Sequence, residues 1–165
     1  MVWQSNVRSR VAFFSWTATL GKILTIYNLR NRHIIVLNWC YLCKMCEELV
    51  DHLLLYCPIA YELWSMVCCL FSIHWVMTNK IFELLVLWQG KFGRHRNIDF
   101  WRFVQHCLFW SLWREWNDKW FKDCEWSILD LKSFFFHTLL EWSLVLPSCP
   151  CLSFPILVDH FNLSS

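Results

Sequence analysis

From about Val7 to Leu20 apolar side chains recur at helical spacing: Val11, Phe14 and Ala18, with Phe13 and Trp16 widening the stripe. Gly21 stands where such a helix should stop. Thr25 is placed to cap a short second helix through Ile26, Leu29 and His33. His33–Leu37 is β-branched and short, which predicts an extended segment. Asn38 to Glu48 predicts a loop, with Asp51 near the start of the next helical turn and His52 inside that turn. Pro58 suits the first turn of a helix burying Ile59, Leu63, Met66, Val67 and Leu70. Thr78 is placed to cap another through Ile81, Leu84, Leu85 and Trp88. Gln89–Asn97 predicts a basic loop, a long helix follows from Asp99 to Trp120, and a further one runs from Cys124 to Leu144. Pro147, Pro150, Pro155 and the terminal serines predict a poorly ordered tail. The pattern is mainly α: a small loop module followed by several helices and an irregular tail, with segments 3–64, 65–146 and 147–165. It shows no internal repeat and no heptad seam.

Composition changes this picture in one respect. Of 165 residues, 57% are hydrophobic and 17% charged, with 13 tryptophans and 3 glycines. A chain of this length forms one domain or a domain with an appendage. It can build a core but cannot bury all its large apolar side chains, so a sticky surface or an absent partner is expected. Two stretches lack charge. Leu63–Asn79 is marginal for a membrane span and contains Ser65, Ser72, His74 and Asn79, and Trp142–Val158 is broken by prolines. A membrane-associated protein using Leu63–Asn79 is therefore the weaker alternative. The first ten residues lack the pattern of a basic region, apolar run and small-residue cleavage site, so an intracellular setting with reduced thiols is expected rather than secretion. The Asn162-Leu-Ser sequon carries no weight in that setting.

The net charge of +2 hides an asymmetry. Between Met1 and Cys46 the charged residues are Arg8, Arg10, Lys22, Arg30, Arg32 and Lys44; no acid occurs, so that stretch is +6. Acids follow at Glu47, Glu48, Asp51 and Glu62. A basic segment of this kind suits a phosphate backbone, and it equally suits a solvated helix face.

The candidate chemistry lies at the end of that segment. Cys40, Cys43, His52 and Cys57 read Cys-x2-Cys-x8-His-x4-Cys. Three thiolates and an imidazole are the donor set of a closed, tetrahedral structural zinc site, and the order and short spacings match a zinc knuckle. Such a site has no open coordination position, so its Zn2+ holds shape and activates no water. Two other readings stay open. With 10 cysteines in the chain, close pairs arise by chance and buried thiols serve as small hydrophobes. Cys46 also offers a competing register, Cys46-x5-His52. No glycine-rich phosphate loop, Tyr-x-Asp-Asp box or spaced carboxylate set for two magnesium ions is present, so no enzyme activity and no small-molecule substrate are expected. Asp118, Asp123, Glu125 and Asp130 alternate with lysines and read as a solvated face. The histidines other than His52 are scattered.

Val11-Ala-Phe-Phe-Ser-Trp16, Gly21-Lys-Ile-Leu-Thr25, Asn28-Leu-Arg-Asn-Arg-His33 and the knuckle with Val50-Asp-His-Leu-Leu-Leu-Tyr-Cys57 together resemble the zinc-binding domain of plant non-LTR (LINE-type) retrotransposon reverse transcriptases. The resemblance is close from Trp3 to about Trp64 and looser through Leu112-Trp-Arg-Glu-Trp-Asn117 and Phe121. It implies metal ligation by Cys40, Cys43, His52 and Cys57, a polymerase domain preceding the module in a parent element, and RNA or single-stranded DNA binding in support of reverse transcription. On that reading Arg30, Arg32 and Lys44 contact phosphate, while Trp39 and Tyr41 are placed to stack on bases. The chain departs from the family by carrying Trp39, Trp116, Cys124 and Trp126 where the family tends to carry arginine. A C-to-T change converts arginine codons to tryptophan or cysteine codons, so these positions suggest a decayed copy in which charge became exposed apolar area. The alternative function is a protein-interaction module whose tryptophan-rich helices, from Asp99 onward, pack against the polymerase domain.

Overall fold

The computed structural model describes residues 9–74, 76–92 and 98–144. Among the described residues there are six α-helices: α1 Ser9–Thr19, α2 Ile26–Asn31, α3 Pro58–Leu70, α4 Ile81–Phe92, α5 Ile98–Lys122 and α6 Ile128–Ser143. A single π-helical turn, His52–Tyr56, precedes α3. No strand occurs among the described residues, in keeping with the mainly α expectation.

The 25 residues of α5 make it about 37 Å long, and it is the axis of the molecule. It packs against α6, α1, α3 and the π-turn. Phe100, Phe103, Val104, Cys107, Leu108, Phe109, Leu112 and Trp116 are all buried on it. So are Gln105, His106, Ser111, Glu115, Asp118 and Lys119, which makes α5 a helix enclosed on most sides rather than one with a single apolar stripe. Trp113, Trp116 and Trp120 recur at i, i+3 and i+7, so they share a face. Their rings stack nearly parallel, with centroids 4.8 and 5.5 Å apart and planes at 6° and 4°. Phe14 of α1 lies against Trp113 at 5.1 Å, and Tyr41 meets Trp120 edge-on at 4.9 Å. This aromatic row links α1 to the Cys40–Cys57 loop.

Helix ends account for most differences from the sequence expectations. Gly21 (φ 66°) closes α1 as foreseen: its N–H bonds Ala18 O, and the Lys22 N–H bonds Thr17 O. Thr25 caps α2 by accepting from Asn28 N. His33 is not extended. At φ 62° it terminates α2 by the same left-handed device, with Ile34 N–H bonding Leu29 O, and 34–37 form no strand. Thr78 does not cap α4; its hydroxyl bonds Lys80 O, and the Ile81 N–H is taken by Asp51 Oδ1 at 3.0 Å from across the fold. Gln89–Phe92 belongs to α4 rather than to a loop, and 93–97 lie outside the described residues. The last helix starts at Ile128, not Cys124. Asp123 (φ 51°) breaks α5, and Ser127 with Asp130 forms a capping box. The segment Leu63–Asn79 is α3 as far as Leu70, and 71–74 and 76–79 form no helix. No helix among the described residues is long and apolar enough to cross a membrane. The expected tail lies outside the described residues.

Candidate metal centre

The loop after α2 carries the first two sulfurs. The Cys40 N–H donates to Cys46 O, and the Lys44 N–H bonds Cys40 O at 2.7 Å, with Lys44 at φ 59°. This tight turn points Cys40 and Cys43 the same way. The second pair depends on the π-turn. Residues five apart on an α-helix are rotated about 140° from alignment. Widening the turn to an i→i+5 bond brings them back to one side, and the Cys57 N–H does bond His52 O, at 2.7 Å. The widened turn also lets Leu53, Leu54 and Leu55 all be buried at 0% exposure. Pro58 disfavours helical backbone at Cys57, whose ψ is 135°, so the π-turn stops there and α3 begins.

The four ligand atoms of Cys40, Cys43, His52 and Cys57 all lie within 4.8 Å of one another. Cys40 Sγ and Cys57 Sγ are 3.9 Å apart, and Cys43 Sγ is 3.4 Å from His52 Nε2. Around a tetrahedral zinc with Zn–S of about 2.3 Å and Zn–N of about 2.0 Å, sulfurs stand about 3.8 Å apart and sulfur and nitrogen about 3.5 Å. Donor type and spacing therefore fit zinc. Cys40 and Cys57 are fully buried. The adjacent Cys57 sulfur, and then burial, push the Cys40 thiol well above its ordinary range. A divalent cation at this point would offset that cost, because a coordinated thiol is deprotonated outright. Cys46 is exposed, 3.8 Å from His52 Nδ1 and 3.9 Å from Nε2. It sits at the edge of the cluster, outside the compact set of four.

Glu48, which the sequence reading passed over as one of a run of acids, is the buried support of this loop, at 0% exposure. Its carboxylate accepts from Tyr41 N (2.7 Å), Ile26 N (2.9 Å) and Trp116 Nε1 (2.9 and 3.0 Å). Burial raises its pKa, and these donors, with the charge of His52, oppose the rise. The position of Glu48 directly before Leu49-Val50 was the only hint of burial. Trp116 is consequently not exposed apolar area as expected; it is 1% exposed, with its indole N–H committed to Glu48. A second long-range tie comes from Lys119, whose ammonium donates to Leu42 O at 3.1 Å and pairs with Glu125 at 2.7 Å.

The residues expected to meet nucleic acid differ in exposure. Arg30 and Arg32 are exposed on and just after α2, and Trp39 is 42% exposed beside Cys40. Tyr41 is half-buried with its ring against Trp120. Lys44 is exposed and stands 3.8 Å from Glu125. The acids foreseen as one solvated face divide: Asp118 is buried and pairs with Lys122, Asp130 serves its capping box, and Glu125 is exposed. His106, another of the scattered histidines, is buried with Nδ1 2.7 Å from the buried Ser15 hydroxyl. That pair ties α1 to α5, and its burial leaves the hydroxyl out of reach of any substrate.

No curated protein and no solved structure matches the chain. Within it, residues 1–64, which contain all four clustered side chains, match the family described as zinc-binding in reverse transcriptase.

Proposed function

We propose that residues 3–64 are a structural zinc module of retroelement origin that binds RNA or single-stranded DNA and has no catalytic activity of its own. The observation that carries this reading is the closed set of Cys40, Cys43, His52 and Cys57, whose ligand atoms fall within 4.8 Å. Four protein donors leave no position for a reacting water, so the metal acts as a staple for the loop. Trp39 of that loop is exposed, and so are Arg30 and Arg32 on and just after α2. Exposed guanidinium groups and an accessible indole suit single strands, where phosphate contacts combine with base stacking.

Two measurements test the reading in sequence. Native mass spectrometry should find one zinc per chain in the wild type and in C46S, and none in C40S or C57S. Salt titration of single-strand binding should then give a log–log slope that flattens by roughly 0.7 for each phosphate contact removed in R30Q and R32Q. A slope near zero in the wild type removes the nucleic-acid role and leaves the zinc module.

A second reading, packing against a partner, is favoured by the exposed Phe13 and Trp16 on α1, Leu20 just after it, and Phe82, Val86 and Leu87 on α4, rather than by the helices from Asp99 onward as expected, whose tryptophans are buried or half-buried. These suit packing against the polymerase domain of a parent element. The plant LINE-type origin and the decay of arginine codons belong to the same proposal. An arginine at position 116 would meet the Glu48 carboxylate, so tryptophan there exchanges a buried ion pair for an indole hydrogen bond. On this view W116R remains folded while W116L, which leaves Glu48 one donor short, is less stable. Related genomic copies that encode tryptophan at 39, 116 and 126 would overturn the decay.

A further inference from the structure

A cleft of about 150 Å³ opens between the start of α3, α5 and the start of α6. Its walls are Pro58, Ile59, Trp126, Ile128 and Leu131, with Glu62 and Glu115 as the polar groups. Glu62 is matched, since its Oε1 takes the Lys132 ammonium at 2.7 Å. Glu115 is 1% exposed, and its Oε2 is buried with no hydrogen-bond partner. Its helix neighbours give that oxygen no hydrogen bond: Trp116 donates to Glu48, and Lys119, whose charge favours the Glu115 carboxylate, donates to Leu42 O and Glu125. A buried, unmatched carboxylate oxygen is costly, and a fold gains nothing from one inside its own structure.

We propose that this cleft is a binding site for a small organic cation, with Glu115 as its counter-ion. The inference stands apart from the zinc reading. The donor set required is one or more N–H groups on a positive centre, and the apolar walls require a short hydrocarbon stem. The Trp126 indole adds a surface that attracts cations. The volume compares with cavities that hold a benzene-sized molecule. A primary ammonium or a guanidinium on a stem of that size fits all three conditions. A free amine and a lysine side chain present the same chemistry.

The test uses the zinc-loaded full chain and follows the Trp126 indole N–H by NMR during titration with benzylammonium, benzyl alcohol and Nα-acetyl-lysine amide. Saturable binding of benzylammonium, with benzyl alcohol weaker by roughly tenfold or more, is expected, because only the cation satisfies the carboxylate. E115Q should abolish that preference while binding the alcohol as before. Burial holds Glu115 up to about 7, Lys119 opposing and Glu125 adding to the shift, so affinity for the cation should rise between about pH 6 and pH 8. Tighter binding of the lysine derivative assigns the site to a protein side chain, and its exclusion assigns it to a free amine. Equal affinity for alcohol and ammonium, no binding of either, or an unchanged preference in E115Q overturns the proposal. Urea unfolding of E115Q at about pH 8 guards against misfolding, since a cooperative transition shows that the variant is folded.

Discussion

At the scale of single residues, the greatest leverage belongs to a carboxylate that touches no metal. Glu48 satisfies Ile26 N, Tyr41 N and Trp116 Nε1 at once. E48A strands three donors inside the fold, each worth about 1 to 3 kcal/mol when left unsatisfied, so a loss of at least about 3 kcal/mol is expected in urea unfolding. E48Q retains acceptor capacity in one oxygen and should lose less. His106 supplies a pH dependence of known sign. Burial, then the nearby Arg102 charge, lowers its pKa from 6.5 to about 4. The unfolded chain therefore binds more protons between those values. The stability that the neutral ring contributes is complete above about pH 6.5 and declines as pH falls toward 4, by up to about 3 kcal/mol. Comparing wild type with H106Q at about pH 7 and pH 4.5 isolates this group, because other titrations are common to both. Equal differences at the two pH values would refute the assignment.

At the scale of elements, a chain with so few glycines must stop its helices by other means. His33, Ser72 and Asp123 all adopt left-handed backbone at or just past a helix end, at φ 62°, 50° and 51°. Each such non-glycine position costs about 1 kcal/mol or more. Because Ile73 N–H already bonds Cys68 O in the glycine-type closure, S72G should stabilise the protein by about 1 kcal/mol in thermal unfolding. D51A should do the opposite by about 1 to 2 kcal/mol, since it removes the acceptor at the start of α4 and the 3.1 Å pair with Lys80. These sites also show what the sequence could reveal. Gly21, Thr25 and Pro58 act on neighbours within a few positions, so pattern alone placed them. The Ser127-x-x-Asp130 box was equally local, and the expected helix start at Cys124 lay three residues ahead of it. Asp51 was out of reach because the N–H it accepts lies 30 residues onward. The four candidate ligands were legible from donor type and spacing. The π-turn that aligns His52 with Cys57 was not, because an i→i+5 turn leaves the same apolar pattern as an α-turn.

At the scale of the whole molecule, the metal loop is stitched to the central helix by Glu48–Trp116, Leu42–Lys119 and Tyr41–Trp120. Zinc supplies about 10 to 16 kcal/mol to finger peptides, while whole domains rest on about 5 to 15 kcal/mol. Chelation should therefore free the amides of residues 38–57 to exchange with solvent, while those of α5 facing α6 stay slow. Uniform exchange throughout would mean that the helices have no stability apart from the loop. Many large apolar side chains remain exposed, among them Ile35, Leu37 and Val76, as composition foretold. Concentration-dependent self-association, read by light scattering, should accompany purification. The parallel indoles of Trp113, Trp116 and Trp120 have one last consequence. Chromophores held this close share their electronic excitation, so their absorption and circular dichroism differ from those of three separate tryptophans. Only a wound α5 keeps them in that register, and the Glu48 bond fixes the middle one. The protein thus carries its own optical gauge, and ultraviolet light alone can report whether the loop is still fastened to the helix.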